Sequence, residues 1–264
     1  MSEDKVRFGW RMVGAAEKKR LVQDVFTPIA SRYDRADAAL SLGLHFLWKR
    51  AAVRALRLEP GERVLDVCGG TADLALRAAR RLGPASELVV CDLNRPMMEA
   101  GRGKSRRARS GADVTFVQGD AEGLPFPDAS FDAVMVGFGL RNLADLERGL
   151  REMGRVLRPG GRFAGLEFTL PSRRWLRALY SFYSFRVMPP AARLITGLGG
   201  PYRYLAESIR AFAEDGDIPG GLQRAGLGEI TVRPLSLGLA AVYSGRKPSK
   251  AQKPSGAFDR RGSS

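Results

Sequence analysis

Short apolar runs punctuated by glycine and proline alternate with helical repeats along most of this chain. Val22, Val25, Phe26 and Ile29 recur at helical spacing and the pattern resumes from Leu40 to Leu56, so residues 21–57 read as helical. After the turn Glu59-Pro60-Gly61, residues 63–68 form an apolar run that ends in Gly69-Gly70, the first strand of a series. Residues 73–81 then predict a helix, 87–91 a strand, 95–109 a helix with Pro96 in its first turn, and 114–118 a strand. Residues 131–136 and 162–168 are further strands, separated by a helix over 145–156 and the turn Arg158-Pro159-Gly160-Gly161. Strands alternating with helices predict an α/β fold with a parallel, doubly wound sheet.

Residues 171–215 break this rhythm. They are rich in aromatics (Trp175, Tyr180, Phe182, Tyr183, Phe185, Tyr202, Tyr204) and interrupted by Pro189-Pro190 and Gly199-Gly200-Pro201, which predicts an inserted helical cap. A helix over 218–227 and an antiparallel pair at 229–234 and 239–244 complete a single domain spanning 21–247. Residues 1–20 read as a flexible basic arm and 248–264 as a disordered tail.

Composition narrows the function classes. Two cysteines, Cys68 and Cys91, make no disulfide framework and suit a reducing compartment. A single histidine, His45, and no zinc-type spacing leave no metal site to propose. No secretory h-region and no long uncharged apolar run are visible, so a cytoplasmic protein is expected. The net charge of +15 points either to an anionic partner or, equally, to a preference for arginine on solvated faces. Basic residues are spread over the N-terminal arm, residues 102–109, Arg173, Arg174, Arg177 and the tail, which is not one nucleic-acid stripe.

The chemistry concentrates at strand ends, where ligands of open α/β sheets bind. The string Val64-Leu-Asp-Val-Cys-Gly-Gly-Thr-Ala-Asp73 supplies a glycine turn but not Gly-x-Gly-x-x-Gly, and Asp73 at the helix start would repel a pyrophosphate. Carboxylates near the loop (Asp66, Asp73) suit a cationic cofactor, and S-adenosylmethionine carries a sulfonium and an ammonium. Asp92 closes the second strand, placed to accept bonds from ribose hydroxyls, and Asp120-Ala121 follows the third, beside the expected adenine. Each Asp alone is equally an N-cap or turn residue; one per successive strand end is not explained that way.

Further strings give a resemblance. These are Phe26-Thr-Pro-Ile-Ala-Ser-Arg-Tyr33-Asp34, Ser41-Leu-Gly43-Leu-His45-Phe-Leu-Trp48-Lys49, Ala121-Glu-Gly-Leu-Pro-Phe-Pro-Asp128, Gly137-Phe-Gly-Leu-Arg141-Asn142, Leu166-Glu-Phe, Tyr183-Ser-Phe and Tyr204-Leu-Ala-Glu-Ser-Ile-Arg210-Ala-Phe212. With the glycine loop, they resemble the C-methyltransferases of menaquinone and ubiquinone biosynthesis, the demethylmenaquinone / 2-methoxy-6-polyprenyl-1,4-benzoquinol methyltransferase family. The resemblance implies a Rossmann-like class I S-adenosylmethionine-dependent fold with an antiparallel C-terminal strand. It also implies methyl transfer to the ring of a polyprenylated quinol. For the cofactor it implies Thr71, Asp92, Asp120, Ala121 and Gly137, beside Asp66, Gly69 and Gly70 of the loop. For the chemistry, Arg141 is expected to stabilise a quinolate oxygen with Asn142 orienting it, and His45 or Tyr33 to relay a proton. A buried structural Arg141 paired with a carboxylate, and a core-packed His45, are the competing readings.

Three positions depart from the family pattern: Ala72 for Gly, Asp37 for Asn and Tyr243 for His. An Ala72 with positive φ would cost on the order of 1 kcal/mol. The aromatic stretch 175–185 is expected to line an isoprenoid path or to pack as a cap, with the nearby arginines touching an anionic membrane surface. No nucleic acid is expected as partner, and a homodimer is an option. Methylation of RNA or another small molecule, and quinol or cofactor binding without turnover, are the alternative functions.

Overall fold

In the computed structural model, residues 5–108 and 112–249 are described. Residues 5–20 of the expected arm form regular structure. Residues β1 (Lys5–Phe8) and β2 (Arg11–Gly14) pair as an antiparallel hairpin, and helix α1 (Ala15–Phe26) follows directly. Contacts too distant in sequence to be read from periodicity hold it down. Phe8 stacks on Tyr204 with ring centroids 4.3 Å apart, and Arg7 pairs with Glu214 and Asp215. The tail expected to be disordered, 248–264, lies outside the described residues from position 250 on.

Helices α2 (Tyr33–Leu40) and α3 (Leu44–Ala55) precede the sheet. Strands β3 (Arg63–Val67), β4 (Glu87–Asp92), β5 (Asp113–Gln118), β6 (Phe131–Gly137) and β7 (Leu157–Phe168) are parallel, in the spatial order β5-β4-β3-β6-β7. Helices α4 (Asp73–Ala79), α5 (Arg95–Ala108) and α6 (Leu146–Val156) make the crossovers. The order reverses between β3 and β6, which opens a crevice at their C-terminal ends. The expected turn at 158–161 lies within β7, where a register shift opposite Phe131 and Ala133 absorbs it. Helix α10 (Ile218–Arg224) leads to β8 (Gly228–Leu235) and β9 (Ala240–Arg246); β9 inserts antiparallel between β7 and β8. This is the Rossmann-like class I arrangement with an antiparallel C-terminal strand.

Strand alternation sends neighbouring residues to opposite faces. Val64, Leu88, Val90, Ala133 and Met135 pack under α3 and α4; Leu65, Val67, Val89, Val134 and Val136 pack under α6 and α10. Asp66 shares the face of Val64, which is why a carboxylate ends up fully buried beneath α4.

The cap comprises α7 (Arg174–Phe182), a wide π-type turn over Tyr183–Val187, α8 (Met188–Thr196) and α9 (Gly200–Asp215). A third small core of Ile29, Ala36, Leu40, Met188, Ala192, Tyr202 and Ala206 joins it to α2. The N-terminal helices and the cap thus form one roof.

Candidate active site

Two adjoining cavities lie where the sheet order reverses and the roof meets it. The first is lined by every residue assigned to the cofactor from sequence: Asp66, Gly69, Gly70, Thr71, Asp92, Asp120, Ala121 and Gly137. Gly70 takes φ +49°, and Ala72 follows with φ +62° while fully buried. The backbone condition for strain at Ala72 is therefore met.

The carboxylates differ in their engagement. Asp66 Oδ2 accepts a 3.0 Å bond from the Ala75 N–H, but buried Oδ1 has no partner among the described residues. Burial pushes Asp66 up to about 8. Asp92 accepts from the Gly70 and Asn94 N–H groups at 2.8 and 2.7 Å, which fixes its orientation while leaving lone pairs for ribose hydroxyls. Burial also raises Asp92. Asp120 is already paired with Lys19 at 2.6 Å; burial would push it up, but Lys19 holds it below the usual carboxylate range. The Thr71 hydroxyl donates to Asp34 at 2.7 Å, so toward a ligand it offers only lone pairs.

These residues fit S-adenosylmethionine. An orphaned buried carboxylate oxygen suits an ammonium, and an oriented carboxylate at the end of β4 suits a ribose. Sequence reasoning missed Lys19, Glu122, Asn94 and Met97, which also line this cavity. Lys19 lay in the supposed arm, and Glu122 and Asn94 look like ordinary loop polars. Buried Glu122 accepts from Ala144 and Asp145 N–H groups and from Lys19, so it ties α1 to the entry of α6.

The second cavity, of about 430 Å³, is mostly apolar. Ile29, Leu40, Leu176, Leu179, Met188, Leu205 and Ile209 are among its apolar lining residues; Asp37 is the sole carboxylate among the lining residues and Arg141 the sole cation. Phe26, Tyr33 and Phe138 line both cavities and form the junction. Phe138 carries φ +59°, stacks on Phe168 and meets Trp48 edge-on.

The four residues expected to be catalytic separate. Tyr33 is at the junction, with a hydroxyl that has no hydrogen bond among the described residues and that burial keeps protonated. Arg141 faces the apolar cavity, but it is held by Glu167 at 3.0 Å, a fully buried carboxylate that also accepts the Arg141 and Phe168 N–H groups. Burial alone would lower Arg141; Glu167 outweighs it and keeps the guanidinium charged. Arg141 Nε is buried without a partner among the described residues. Asn142 does not orient Arg141: its Oδ1 accepts from Tyr204 Oη at 3.0 Å, and the residue lines the cofactor cavity. His45 lines neither cavity. It is buried, with Nδ1 2.7 Å from Ser41 Oγ and Nε2 3.9 Å from Asp37 Oδ2, and burial lowers its pKa. Any effect it has on the cavity passes through Ser41 or Asp37.

Between the cavities runs a chain of charges. Lys49 Nζ bridges Asp37 (2.9 Å) and Asp73 (2.8 Å), and Lys104 bridges Asp73 (3.1 Å) and Asp34 (2.6 Å). The sequence placed each of these on a helix, but it did not show that the helices α2, α3, α4 and α5 converge here.

Comparison with known proteins agrees with this geometry. A family model described as the ubiE/COQ5 methyltransferase family matches residues 12–247. The ubiquinone/menaquinone biosynthesis C-methyltransferase UbiE of Azotobacter vinelandii is 42% identical over 247 residues, 94% of this chain and 98% of that protein. The protein of the same name from Pseudomonas entomophila is 40% identical, over 94% of this chain and 96% of that one. Among solved structures, a Thermotoga maritima S-adenosylmethionine-dependent methyltransferase superposes with a TM-score of 0.58 at 20% identity, covering 85% and 98% of the two chains. The [4+2]-cyclase SpnF superposes at 0.55 and 19%, covering 88% and 97%. At such identities these two speak for the fold alone.

Proposed function

The chain belongs to the ubiE/COQ5 methyltransferase family, and from that premise we propose that its polar cavity holds S-adenosylmethionine while its apolar cavity holds the ring of a polyprenylated quinol, which receives a methyl group on carbon. The enzyme is an S-adenosylmethionine-dependent C-methyltransferase of ubiquinone or menaquinone biosynthesis. The observation that carries the assignment is the junction: a carboxylate-rich chamber and an apolar one share Phe26, Tyr33 and Phe138 in their walls.

The cofactor, when bound, supplies a methyl group already activated on a sulfonium. The residues of the chain have three remaining tasks: to align the ring carbon, to help a ring hydroxyl lose its proton, and to exclude water. Asp66 would hold the ammonium and Asp92 the ribose. Arg141 stabilises the developing quinolate oxygen; its rigid anchoring by Glu167 supports this, because a preorganised charge needs no reorientation during reaction. Phe26, Tyr33 and Phe138, which line both cavities, would exclude water at the junction.

The isoprenoid tail leaves between α2 and α7. Leu42 (83% exposed) and Leu179 (57% exposed) line the cavity yet reach its outer rim. Helix α7 has no buried residue and carries exposed Trp175 and Phe182 beside exposed Arg173, Arg174 and Arg177. An apolar rim with basic neighbours suits peripheral contact with an anionic membrane, from which a lipid-soluble substrate would be drawn. Among the described residues no helix is long and apolar enough to cross a membrane.

The direct test is incubation of the purified enzyme with S-adenosylmethionine and a reduced, short-chain prenylnaphthoquinol, followed by mass spectrometry. One added ring methyl is expected. In Arg141→Lys, kcat should fall at least about tenfold, roughly 1.4 kcal/mol of barrier, with cofactor affinity kept. A normal kcat in that variant removes Arg141 from the mechanism.

A further inference from the structure

Tyr202, near the start of α9, is 5% exposed, and its hydroxyl has no hydrogen-bond partner among the described residues. A buried hydroxyl without a partner costs on the order of 1–3 kcal/mol, so such groups in folded proteins call for an explanation. The surroundings supply one. Tyr202 lines the apolar cavity together with Arg141, whose Nε is likewise buried without a partner among the described residues, and Tyr33 at the junction brings a further hydroxyl without a hydrogen bond among them. Two unpaired N–H and O–H donors in one apolar chamber complement a ligand carrying two oxygen acceptors. The neighbouring groups do not use up the hydroxyl. Asp37, the only carboxylate lining the cavity, is engaged through Oδ2 by Lys49, and Tyr183 Oη donates instead to the Leu40 carbonyl at 2.6 Å. Burial raises the Tyr202 phenol, and the Asp37 charge raises it further, so it stays protonated and able to donate.

We propose that Tyr202 Oη donates a hydrogen bond to one ring oxygen of the substrate, as a positioning residue that sets the ring's orientation toward the methyl donor. The inference rests on the reading of this cavity as the quinol site. It makes Tyr202 and Arg141 the two polar anchors at opposite roles: Arg141 meets the oxygen that gains charge, and Tyr202 holds the ring in register. Because the hydroxyl is unpaired without ligand, its removal should not weaken the folded protein. A structural tyrosine would behave in the opposite way.

The test uses Tyr202→Phe in the full chain. Its ligand-free melting temperature should equal or exceed that of the wild type. The KM for reduced prenylnaphthoquinol should rise about tenfold or more, with S-adenosylmethionine affinity by calorimetry unchanged. One of the two naphthol analogues lacking a single ring hydroxyl should bind the wild type more weakly than the quinol does, yet bind Tyr202→Phe equally well, the signature of a coupled pair. A lowered ligand-free melting temperature would show a structural hydroxyl and overturn the proposal. So would an unchanged quinol KM in the variant while the wild type turns over. Failure of the wild type itself to bind or methylate the quinol would instead overturn the reading of the cavity, and the proposal with it.

Discussion

At the residue scale, strain and orphaned polar atoms mark the site. Ala72 sits at φ +62° where glycine is at no steric disadvantage, so Ala72→Gly should stabilise the protein by up to about 1 kcal/mol in denaturant unfolding. A loss of stability would show that the buried methyl is worth more than the strain. Asp66 predicts a pH effect. Burial holds its carboxyl up at about 8, whereas the cofactor's ammonium favours the charged form. Binding then releases a proton, so affinity for S-adenosylmethionine should rise between about pH 6 and about pH 8 and level off above. Calorimetry across that range checks it; an unchanged pH dependence in Asp66→Asn would assign the effect elsewhere. The position of Ala72 in a glycine loop made its strain legible in the sequence. Tyr202 was not legible, because an aromatic in a helical repeat looks the same whether its hydroxyl is paired or not. Arg141 was half legible: the string named it, but only the fold revealed Glu167 as its anchor.

At the element scale, the roof is held to the sheet by charge as well as by packing. Lys49 on α3 bridges Asp37 on α2 and Asp73 at the start of α4. Burial alone would lower Lys49, but the two carboxylates outweigh it and keep it charged. Lys49→Met would leave half-buried Asp37 without its cation while Asp73 keeps Lys104, and should cost about 1–3 kcal/mol by chemical denaturation. The same network predicts acid sensitivity. Burial would raise Asp73, yet Lys49 and Lys104 hold it well below the usual range. Its stabilisation is present above about pH 4 and is lost as the pH falls through its depressed value. The strands and crossover helices could be read from periodicity because each buries its own apolar stripe. The hairpin at Lys5–Gly14 could not, because its four-residue strands are held by Tyr204, Glu214 and Asp215, some two hundred positions away.

At the scale of the whole molecule, the sheet places a polar chamber and an apolar chamber on either side of Phe138, and the roof covers both. The apolar rim at α7 and the arginines beside it predict binding to anionic vesicles at low salt, weakened by added salt and by Trp175→Ser with Phe182→Ser. Flotation with phosphatidylglycerol vesicles measures this, and no binding at low salt removes membrane contact from the account. Fold class was legible because the alternation of elements admits few topologies. Substrate class was legible only from the specific strings, such as Gly137-Phe-Gly-Leu-Arg141-Asn142, since the loop at the end of β3 serves a cofactor and not a quinol.

The central claim is that this chain methylates a quinol ring. Quinone profiling by mass spectrometry in a strain lacking the gene, with and without the gene restored, tests it most directly. The strain is expected to accumulate the quinone lacking one ring methyl, and restoring the gene to return the methylated species. An unaltered quinone pool in the deletion strain would contradict it.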